Sequence, residues 1–401
     1  MDTVGTLVHH ALDVLPESHL LQDEHRVFRA RVQDFMARHV LPLAEEYEEK
    51  ERFPREVLEA LGREGLLGAP FHPDFGGEGR DNLCTAILIE EASRAWGSLG
   101  IILAAHIGLG TAPIARWGSE EQKRKYLPGL IRGEFLGGYG LTEPQAGSDS
   151  GATQTTARLD GDHWVLHGTK AWCTNATEAR TYVVSAVTDR EAGSRGISAF
   201  LVERGTPGFS FGKKEDKLGL RASATGTLIF DECRIPRENL LGERGQGFVY
   251  FMQTLDGGRI TIGAMAVGLA RSAMDEVVRE LASRDLGGDL FDHEYTLAPL
   301  AEMGAEIAAA RAMIYNAAWQ KDKGPRWTLD GAMGKWLASE VAMRATSRAL
   351  EILGNEGLRQ GSVASRAFRD AKLCTIGEGT NEIQRVVIAR EMLKRYTPSK
   401  G

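Results

Sequence analysis

Cysteine is scarce in this sequence, and no two cysteines have metal-binding spacing. The 401 residues contain four cysteines, Cys84, Cys173, Cys233 and Cys374, and none of them belongs to a C-x-x-C pair. Structural zinc sites and secreted disulfide frameworks both use closely spaced cysteines. We therefore expect no bound metal and no disulfide framework, and we expect the protein to work in a reducing cytoplasm.

An excess of positive charge is also missing. Lys and Arg number 48 against 55 Asp and Glu, which gives a formal net charge of −7. Proteins that bind nucleic acid carry a basic footprint that this balance does not provide. Nucleic acid is therefore not an expected partner.

The sequence has little that indicates a targeting segment or a membrane span. Residues 1–20 lack the basic start and apolar block of a signal peptide. The uncharged stretch from Ala95 to Ala115 is diluted by His106, Pro113 and four glycines, which places it below a membrane-span signal. We expect a buried helix pair there and no membrane association.

Helical patterns fill the first third of the chain and return in the last third. Charged and apolar residues alternate at helical spacing in segments such as 26–40 and 54–67, and Ser119 to Gln122 has the S-x-x-Q form of a capping box. After Gly247, long Ala-rich windows predict helices over 260–281, 300–320 and 328–353.

Short strand-like segments are confined to the middle of the chain. Residues 153–159 and 164–166, separated by Asp160-Gly161, predict a β-hairpin, and further strands are expected over 182–187, 197–202 and 227–230. Because strands cluster and do not alternate with helices, a doubly wound sheet is disfavoured. The expected fold is mainly α with a central β-domain, divided as 1–134, 135–244 and 245–401.

Three polar, glycine-containing segments carry the chemical information. The first spans Gly140 to Ala152 at the seam between helices and strands, where hydroxyls and backbone N–H groups suit a phosphate or a ring edge. The second, Gly168 to Asn175, contains Trp172 between small polar residues. The third, Gly377 to Arg385, places Glu378 between two glycines just before a helix start, which favours anionic groups.

In this order the three segments resemble the signatures of the FAD-dependent acyl-CoA dehydrogenase family, and the resemblance extends from about Gln22 to Leu393. It implies an N-terminal helical domain, a middle β-barrel-like domain and a C-terminal four-helix bundle. It also implies a homotetramer that binds FAD near subunit interfaces, acts on an acyl-CoA substrate and passes electrons to electron-transfer flavoprotein.

Residue roles follow from the same resemblance. Trp172 is expected to cover one face of the flavin ring, and Thr174 to hydrogen-bond near its reactive nitrogen. The other cofactor-binding candidates are Tyr139, Leu141, Thr142, Ser148, Arg284, Gly354, Asn355, Thr380 and Glu382. The substrate-binding candidates are Ser148, Asp256, Arg259 and Gly379.

The chemistry explains why a carboxylate is needed. The α-proton of a thioester is weakly acidic, so its removal requires a base held against it and donors for the enolate oxygen. By resemblance Glu378 is that base, and FAD accepts the β-hydride to give a trans-2-enoyl-CoA. We expect a dry pocket to raise the pKa of Glu378. Some branches of the family carry the base at the position of Gly258, where this sequence has no side chain.

Two segments depart from the family pattern on the adenine side of FAD. The segment that follows Arg284 is one residue shorter than the corresponding segment of the family, and Glu294 stands where the family has Gln. Gly354-Asn355 replaces a Gly-Gly pair. Gly377 replaces an aromatic residue that often precedes the glutamate, which suggests room for a branched or bulky acyl group.

Other functions remain open at this point. An acyl-CoA oxidase shares the fold and the base. A decarboxylating glutaryl-CoA-type dehydrogenase needs a cation for a distal carboxylate, for which Arg94 is the candidate. A non-catalytic helical scaffold is the alternative from a different class, and it predicts a colourless protein.

Overall fold

The computed structural model describes residues 14–283, 294–324 and 327–396. Along the chain a helical domain is followed by a sheet domain and then by a second helical domain. This order confirms the fold class expected from the hydrophobic patterns.

The first domain is helical, and one of its helix starts is the predicted capping box. The Ser119 side chain accepts a hydrogen bond from the Gln122 N–H at 3.2 Å, and the Gln122 side chain accepts one from the Ser119 N–H at 3.0 Å. The α-helices of this domain are α1 Asp23–His39, α2 Leu41–Glu49, α3 Arg55–Arg63, α4 Asn82–Ala95, α5 Gly97–Leu103, α6 Ala112–Trp117 and α7 Glu120–Ile131.

The long apolar stretch forms one continuous helical run and not the expected helix pair. Helix α5 leads directly into a π-helical segment, Ala104–Thr111, which leads into α6. The run Gly97–Trp117 is long and apolar enough for a membrane span by length and composition alone, and 78% of its apolar window is buried inside the protein. Burial of this kind is typical of a core helix.

The middle domain is an eight-stranded sheet with the order β6-β7-β3-β2-β4-β5-β8, and β1 pairs with β4 in parallel. The predicted hairpin joins β2 to β3, but Asp160 pairs with His163, so the two turn residues are Gly161 and Asp162. Gly161 has φ of +62°, the first central position where a type II′ turn requires glycine. The strands are β1 Gly137–Gly140, β2 Thr156–Asp160, β3 His163–Thr174, β4 Thr181–Val187, β5 Ile197–Glu203, β6 Phe209–Lys214, β7 Thr225–Pro236 and β8 Leu240–Leu241.

The third domain packs long helices against one another. Its central helix, α8, contacts α4 of the first domain as well as α9, α10 and α11 of its own. The helix predicted over 328–353 has the bounds that the sequence indicated. The helices are α8 Gly247–Ser283, α9 Glu294–Lys323, α10 Thr328–Leu353, α11 Val363–Cys374 and α12 Asn381–Tyr396.

His106 of the π-helical segment fastens β1 to the first domain. Its Nδ1 accepts a hydrogen bond from the Gly137 N–H at 3.1 Å, and its Nε2 lies 3.1 Å from the Leu130 carbonyl oxygen. Burial lowers the pKa of His106 to about 4, so the ring is neutral at pH 7. A Cβ on Gly110 meets the Gly137 backbone at 2.5 Å, so only glycine permits this approach.

Buried ion pairs join α8 to α4. Arg271 binds Glu90 and also Glu91, the latter at 2.8 Å, and Arg94 binds Asp275 at 2.5 Å. Breaking one such buried pair leaves an uncompensated charge, at a cost of about 3–5 kcal/mol. The first and third domains are therefore held in one arrangement around α8.

Candidate active site

A β-bulge turns Trp172 out of the sheet. The β3–β7 register shifts between Lys170 and Cys173, and Trp172 lies between them with φ of +58° and 61% of its surface exposed. A bulky residue in the left-handed region costs about 1–3 kcal/mol and persists where the surroundings enforce it. The bulge therefore presents a flat aromatic face at the protein surface.

The bulge lies beside the first motif. The Ala171 N–H donates to the Thr142 carbonyl oxygen at 2.8 Å, which joins the end of β1 to the strand that carries Trp172. Thr142 and Thr174 are partly buried, and Ser148 is exposed in the loop that follows. The structure thus brings together four of the predicted flavin-contacting residues, which are Leu141, Thr142, Trp172 and Thr174.

Beneath this surface Glu143 organises the polar loop. Its carboxylate accepts hydrogen bonds from the Lys170 ammonium at 2.7 Å, the Gln154 N–H at 2.6 Å and the Thr155 N–H at 3.0 Å. Burial by itself raises the pKa of Glu143, but the charge of Lys170 and the hydrogen bonds outweigh it and lower the pKa to about 2. The carboxylate is therefore ionised at neutral pH.

Lys170 completes the buried pair. Its side chain is fully buried, and its ammonium also donates to Ser185 Oγ at 2.9 Å and to the Leu141 carbonyl oxygen at 3.3 Å. Burial lowers its pKa to about 8 against the opposing charge of Glu143, so Lys170 is still largely protonated at pH 7. The pair holds the backbone of the first motif against the strand of the second.

The third motif is a short turn between α11 and α12. Glu378 has φ of +54° and Gly379 has φ of +94°, so two successive residues adopt left-handed backbone. The Gly379 carbonyl oxygen accepts hydrogen bonds from Lys335 Nζ at 2.8 Å and from Gln384 Nε2 at 3.0 Å. Thr380 caps the next helix, α12, because its hydroxyl accepts a hydrogen bond from the Ile383 N–H at 3.3 Å.

The turn aims the Glu378 carboxylate at the backbone of α8. A Cβ built on Gly258 lies 1.3 Å from Glu378 Oε2, so the carboxylate occupies the space that any larger residue needs. Oε2 is buried and has no hydrogen-bond partner among the residues that the structure describes. Burial raises the pKa of Glu378 to about 8, against the opposing charges of Lys335 and Arg259, which is the direction expected from the sequence.

Tyr139 links this carboxylate to the flavin motif. The buried Tyr139 ring lies 4.8 Å from the Phe251 ring, and its hydroxyl donates to the Phe251 carbonyl oxygen at 3.4 Å. Burial, and secondarily the negative charge of Glu378, raise the pKa of Tyr139 well above its ordinary value. Strand β1 therefore places Tyr139 near Glu378, and the chain continues directly from this strand into Leu141 and Thr142.

Asp256 and Arg259 form an ion pair of 2.6 Å on α8, next to Gly258. Thr328 donates a hydrogen bond to Asp256 at 3.1 Å. Burial raises the pKa of Asp256 and lowers the pKa of Arg259. The attraction between the two charges acts in the opposite direction on both pKa values but is outweighed. The pair is mostly buried beside Glu378, which differs from an ordinary surface pair.

The adenine-side candidates lie apart from this centre. Gly354 and Asn355 are exposed after the end of α10, and Lys335 and Leu353 are 18 residues apart on that helix, about 27 Å along its axis. Glu382 is exposed in the first turn of α12 and lies 3.8 Å from Arg385. Arg284 lies outside the described residues.

Arg94, the candidate cation for the distal carboxylate of a glutaryl-type substrate, is already engaged by carboxylates of the protein. Its guanidinium binds Asp275 at 2.5 Å and lies 3.6 Å from Glu91, and its side chain is largely buried between α4 and α8. Because both neighbouring carboxylates already neutralise it, Arg94 does not provide a free cation for a substrate.

One group in the described chain has the composition of a metal site, formed by His25, Asp81 and Cys84. The Gln22 N–H donates to His25 Nδ1 at 3.0 Å, which leaves the ring proton on Nε2, and Nε2 then donates to Asp81 at 2.8 Å. Asp81 also accepts from the Cys84 N–H at 2.8 Å as the cap of α4. Hydrogen bonding and helix capping account for this group.

The residues around Trp172 fit a flavin. A planar ring needs a flat apolar face and edge donors, and the exposed Trp172 and the neighbouring threonines provide both. A Cβ on Gly147 meets no atom of the described residues within 4 Å, so the polar loop is open toward its outer side. Leu141, Thr142, Trp172 and Thr174 are the residues that would hold the ring.

Sequence reasoning missed several side chains that shape the site, among them Lys335, Lys170 and Gln384. All three are fully buried polar residues. A signal was present for Lys335, because it lies at a core-facing position of an Ala-rich helix where a charge needs a partner. The identity of that partner depends on tertiary contacts.

Three family models match the chain. They are described as the N-terminal, middle and C-terminal domains of acyl-CoA dehydrogenase and cover residues 22–134, 138–233 and 245–393. They match in the order of the three structural domains.

Relatives and solved structures agree with these matches. The short-chain specific acyl-CoA dehydrogenase of Clostridium acetobutylicum is 44% identical over 93% of this chain and 99% of its own, and the human mitochondrial short-chain specific enzyme is 42% identical over 96% and 94%. The butyryl-CoA dehydrogenase structure from Megasphaera elsdenii has a TM-score of 0.91 at 39% identity and covers 94% of this chain and 100% of that one.

An acyl-CoA dehydrogenase from Bacillus anthracis complexed with FAD has a TM-score of 0.88 at 32% identity, over 96% of this chain and 69% of that one. The enzyme class and the FAD cofactor expected from the motifs are thereby confirmed for the family, and the scaffold alternative is excluded. The chain belongs to the acyl-CoA dehydrogenase family.

Proposed function

We propose that this enzyme removes the α-proton of a short-chain acyl-CoA with Glu378 and transfers the β-hydride to FAD, giving a trans-2-enoyl-CoA. The observation that carries the proposal is the Glu378 carboxylate, whose Oε2 is buried against Gly258 and has no partner within the described part of the chain. A carboxylate without a protein partner, in a site that shields it from water, is suited to accept a proton from a bound substrate.

The backbone of Glu378 supports the same assignment. Within the described chain the Glu378 N–H donates no hydrogen bond. An unpaired N–H beside the base is placed to donate to a thioester oxygen as negative charge develops on it. The burial that raises the pKa of Glu378 also makes it a stronger base once ionised.

The flavin supplies the redox step that no side chain performs, because bound FAD accepts the hydride. We assign its ring to Tyr139, Leu141, Thr142, Trp172 and Thr174, its adenine side to Arg284, Gly354 and Asn355, and further contacts to Ser148, Thr380 and Glu382. Ser148, Asp256, Arg259 and Gly379 are assigned to substrate.

The short-chain substrate is proposed from the relatives, since two of them are named short-chain specific and a solved neighbour is a butyryl-CoA dehydrogenase. The engaged Arg94 disfavours a glutaryl-type reaction, although a glutaryl-CoA dehydrogenase complex also matches with a TM-score of 0.90. A Cβ built on Gly377 lies 3.5 Å from the Leu373 side chain. The space that opens because residue 377 lacks a side chain is therefore next to Leu373. This gives branched acyl groups no specific support.

The test is anaerobic absorbance of the purified flavoprotein with butyryl-CoA, isobutyryl-CoA, octanoyl-CoA and glutaryl-CoA. We expect butyryl-CoA to bleach the oxidised flavin band fastest, and Glu378→Gln to bind the thioester without rapid bleaching. Bleaching of the Glu378→Gln variant at the wild-type rate would show that another group is the base.

Electron-transfer flavoprotein is the proposed acceptor, because a solved neighbour with a TM-score of 0.91 comes from work on such a protein of Acidaminococcus fermentans. The oxidase alternative is tested by reoxidation of the reduced enzyme in air. A dehydrogenase is expected to reoxidise slowly in air and rapidly with electron-transfer flavoprotein.

We place the enzyme in the cytoplasm and its domain boundaries at 134/135 and 244/245.

We also propose that the enzyme is a homo-oligomer, with the tetramer as the expected form. An apolar surface on α12 supports assembly, since uncovered apolar patches mark interaction sites. The exposed Gly354–Asn355 loop, at the far end of α10 from Lys335, is also free to contact another subunit. Sedimentation equilibrium measures the assembly. The exposed residues of this surface are Val386, Met392, Leu393 and Tyr396.

A further inference from the structure

We propose that Lys335 is a positioning residue for the base, which locks the Glu378–Gly379 turn and supplies a positive charge that favours the ionised carboxylate. This inference rests on the proposed role of Glu378 and extends it to a buried lysine on α10.

The contacts of Lys335 span the turn. Its side chain is 0% exposed, and its ammonium donates to the Gly379 carbonyl oxygen at 2.8 Å and to Asn381 Oδ1 at 3.0 Å. Gly379 follows the base and Asn381 begins α12, so one ammonium group fixes both ends of the segment after Glu378. Asn381 is itself held, because its amide donates to Glu340 at 2.8 Å.

The conformation of the turn needs such a clamp. Glu378 is a non-glycine residue at φ of +54°, a region that side chains disfavour. Strained backbone persists only where several contacts enforce it. Lys335 and Gln384 both donate to the Gly379 carbonyl oxygen, so the left-handed pair is held from two helices, α10 and α12.

The charge of Lys335 is also available to the base. The charged and titratable groups that face Glu378 are Lys335 from α10, Arg259 from α8 and Tyr139 from β1. Arg259 is paired with Asp256 at 2.6 Å. Among the described residues, by contrast, no carboxylate pairs with Lys335, whose hydrogen-bond acceptors are neutral oxygens.

Lys335 has its own electrostatic environment. Burial lowers the pKa of Lys335 to about 8, and the positive charge of Arg259 lowers it further. Cys374, Glu378 and Glu382 act in the opposite direction and raise it. Below pH 8 the ammonium is therefore protonated, which is the state that donates both hydrogen bonds. Ionisation of Glu378 and retention of the Lys335 proton favour each other across this pH range.

Three substitutions separate the two roles. Lys335→Gln keeps a donor for Gly379 without the charge, Lys335→Arg keeps the charge with altered geometry, and Lys335→Met removes both. Removal of one nearby opposite charge shifts a carboxyl pKa upward by about one unit. We therefore expect Lys335→Gln to raise the pH midpoint of flavin reduction by about one unit and to slow reduction at pH 7 about tenfold, with convergence toward wild type at high pH.

The loop is followed without activity. Hydrogen–deuterium exchange of residues 375–381 is expected to accelerate in Lys335→Met and Lys335→Arg, and infrared difference titration against Glu378→Gln reports the carboxyl pKa directly. Lys217→Met is the matched control, since Lys217 is a partly buried lysine that donates to one backbone oxygen, Ser223 O at 2.8 Å, in the middle domain. It is expected to change neither the midpoint nor exchange in the loop.

The outcomes are separable. An unchanged carboxyl titration in Lys335→Gln, or unchanged exchange of 375–381 in Lys335→Met, overturns the role of Lys335. If no acyl-CoA bleaches the wild-type flavin, the proposed function fails. Hydrogen–deuterium exchange and infrared titration still decide in that case whether Lys335 positions Glu378. If Lys335→Met does not fold, Lys335→Gln and Lys335→Arg carry the test.

Discussion

Replacing Gly258 with alanine separates the stability of the fold from the position of the proposed base, Glu378. The added Cβ lies 1.3 Å from Glu378 Oε2, whereas ordinary van der Waals contact begins at 3.4 Å. The carboxylate must therefore move by about 2 Å, and it is the far end of a side chain that can rotate. We expect the backbone of α8 to remain in place.

The two consequences have different magnitudes. Alanine is favoured over glycine inside a helix by about 1 kcal/mol, so the free energy of unfolding stays the same or rises slightly. A displacement of about 1 Å from reactive geometry is sufficient for a rate loss of about 100-fold. We expect Gly258→Ala to slow flavin reduction by at least about 100-fold.

The assay is stopped-flow reduction by butyryl-CoA, with urea unfolding of the same preparations. Gly331→Ala is the matched control, because it is also inside a helix and its Cβ meets Trp327 at an ordinary 3.6 Å. Wild-type reduction by Gly258→Ala would refute the placement of the carboxylate. A large loss of stability would refute the argument that the side chain simply rotates.

The other predictions concern charge, the flavin face and pH. Lys170→Met leaves Glu143 buried without its cation and is expected to lower the free energy of unfolding by about 3–5 kcal/mol in urea titrations, whereas Lys125→Met, at an exposed pair with Glu203, is expected to change it by less than about 1 kcal/mol. Trp172→Gly relieves the positive φ but removes the ring face, so the purified protein is expected to retain less FAD than Trp172→Phe, as judged from the ratio of visible to ultraviolet absorbance. The folded pKa of Glu378 is raised from 4.5 to about 8, so the native state holds a proton that the unfolded chain releases, and stability falls as the pH rises between these values. Relative to wild type, Glu378→Gln is expected to gain up to about 1.4 kcal/mol per pH unit from pH 5 to 8; a constant difference would show that the carboxyl is not perturbed.

Local sequence signals predicted the elements whose stability is local. The Ser119–Gln122 capping box and the helix over 328–353 were both correct, because capping and helical periodicity involve neighbouring residues. The hairpin was displaced by one residue, since Asp160 pairs in the sheet and glycine takes the first turn position. Strand β1 was not predicted, because Gly137–Gly140 has no β-branched residue and is held by β4 and His106.

The candidate site likewise has residues that local motifs predicted and contacts that depend on residues far apart in the chain. The motifs placed Glu378, Trp172 and Thr142 in short segments whose residue types resemble those of a known family. The ion pair of Arg94 was not predicted, because its carboxylate partner Asp275 is 181 positions away in the chain. Pairing over such a distance leaves no pattern in either local segment.

The sequence by itself determined the order of helical and strand domains and the family, and it predicts Glu378 as the base, because each depends on residue types within short segments. Only the tertiary structure decided that the Glu378 carboxylate lies on Gly258, that Lys335 holds the turn after Glu378 and that Lys170 joins the first two motifs. These features depend on distances between side chains far apart in sequence. Burial then sets the charge state of each group, and burial is a property of the folded chain.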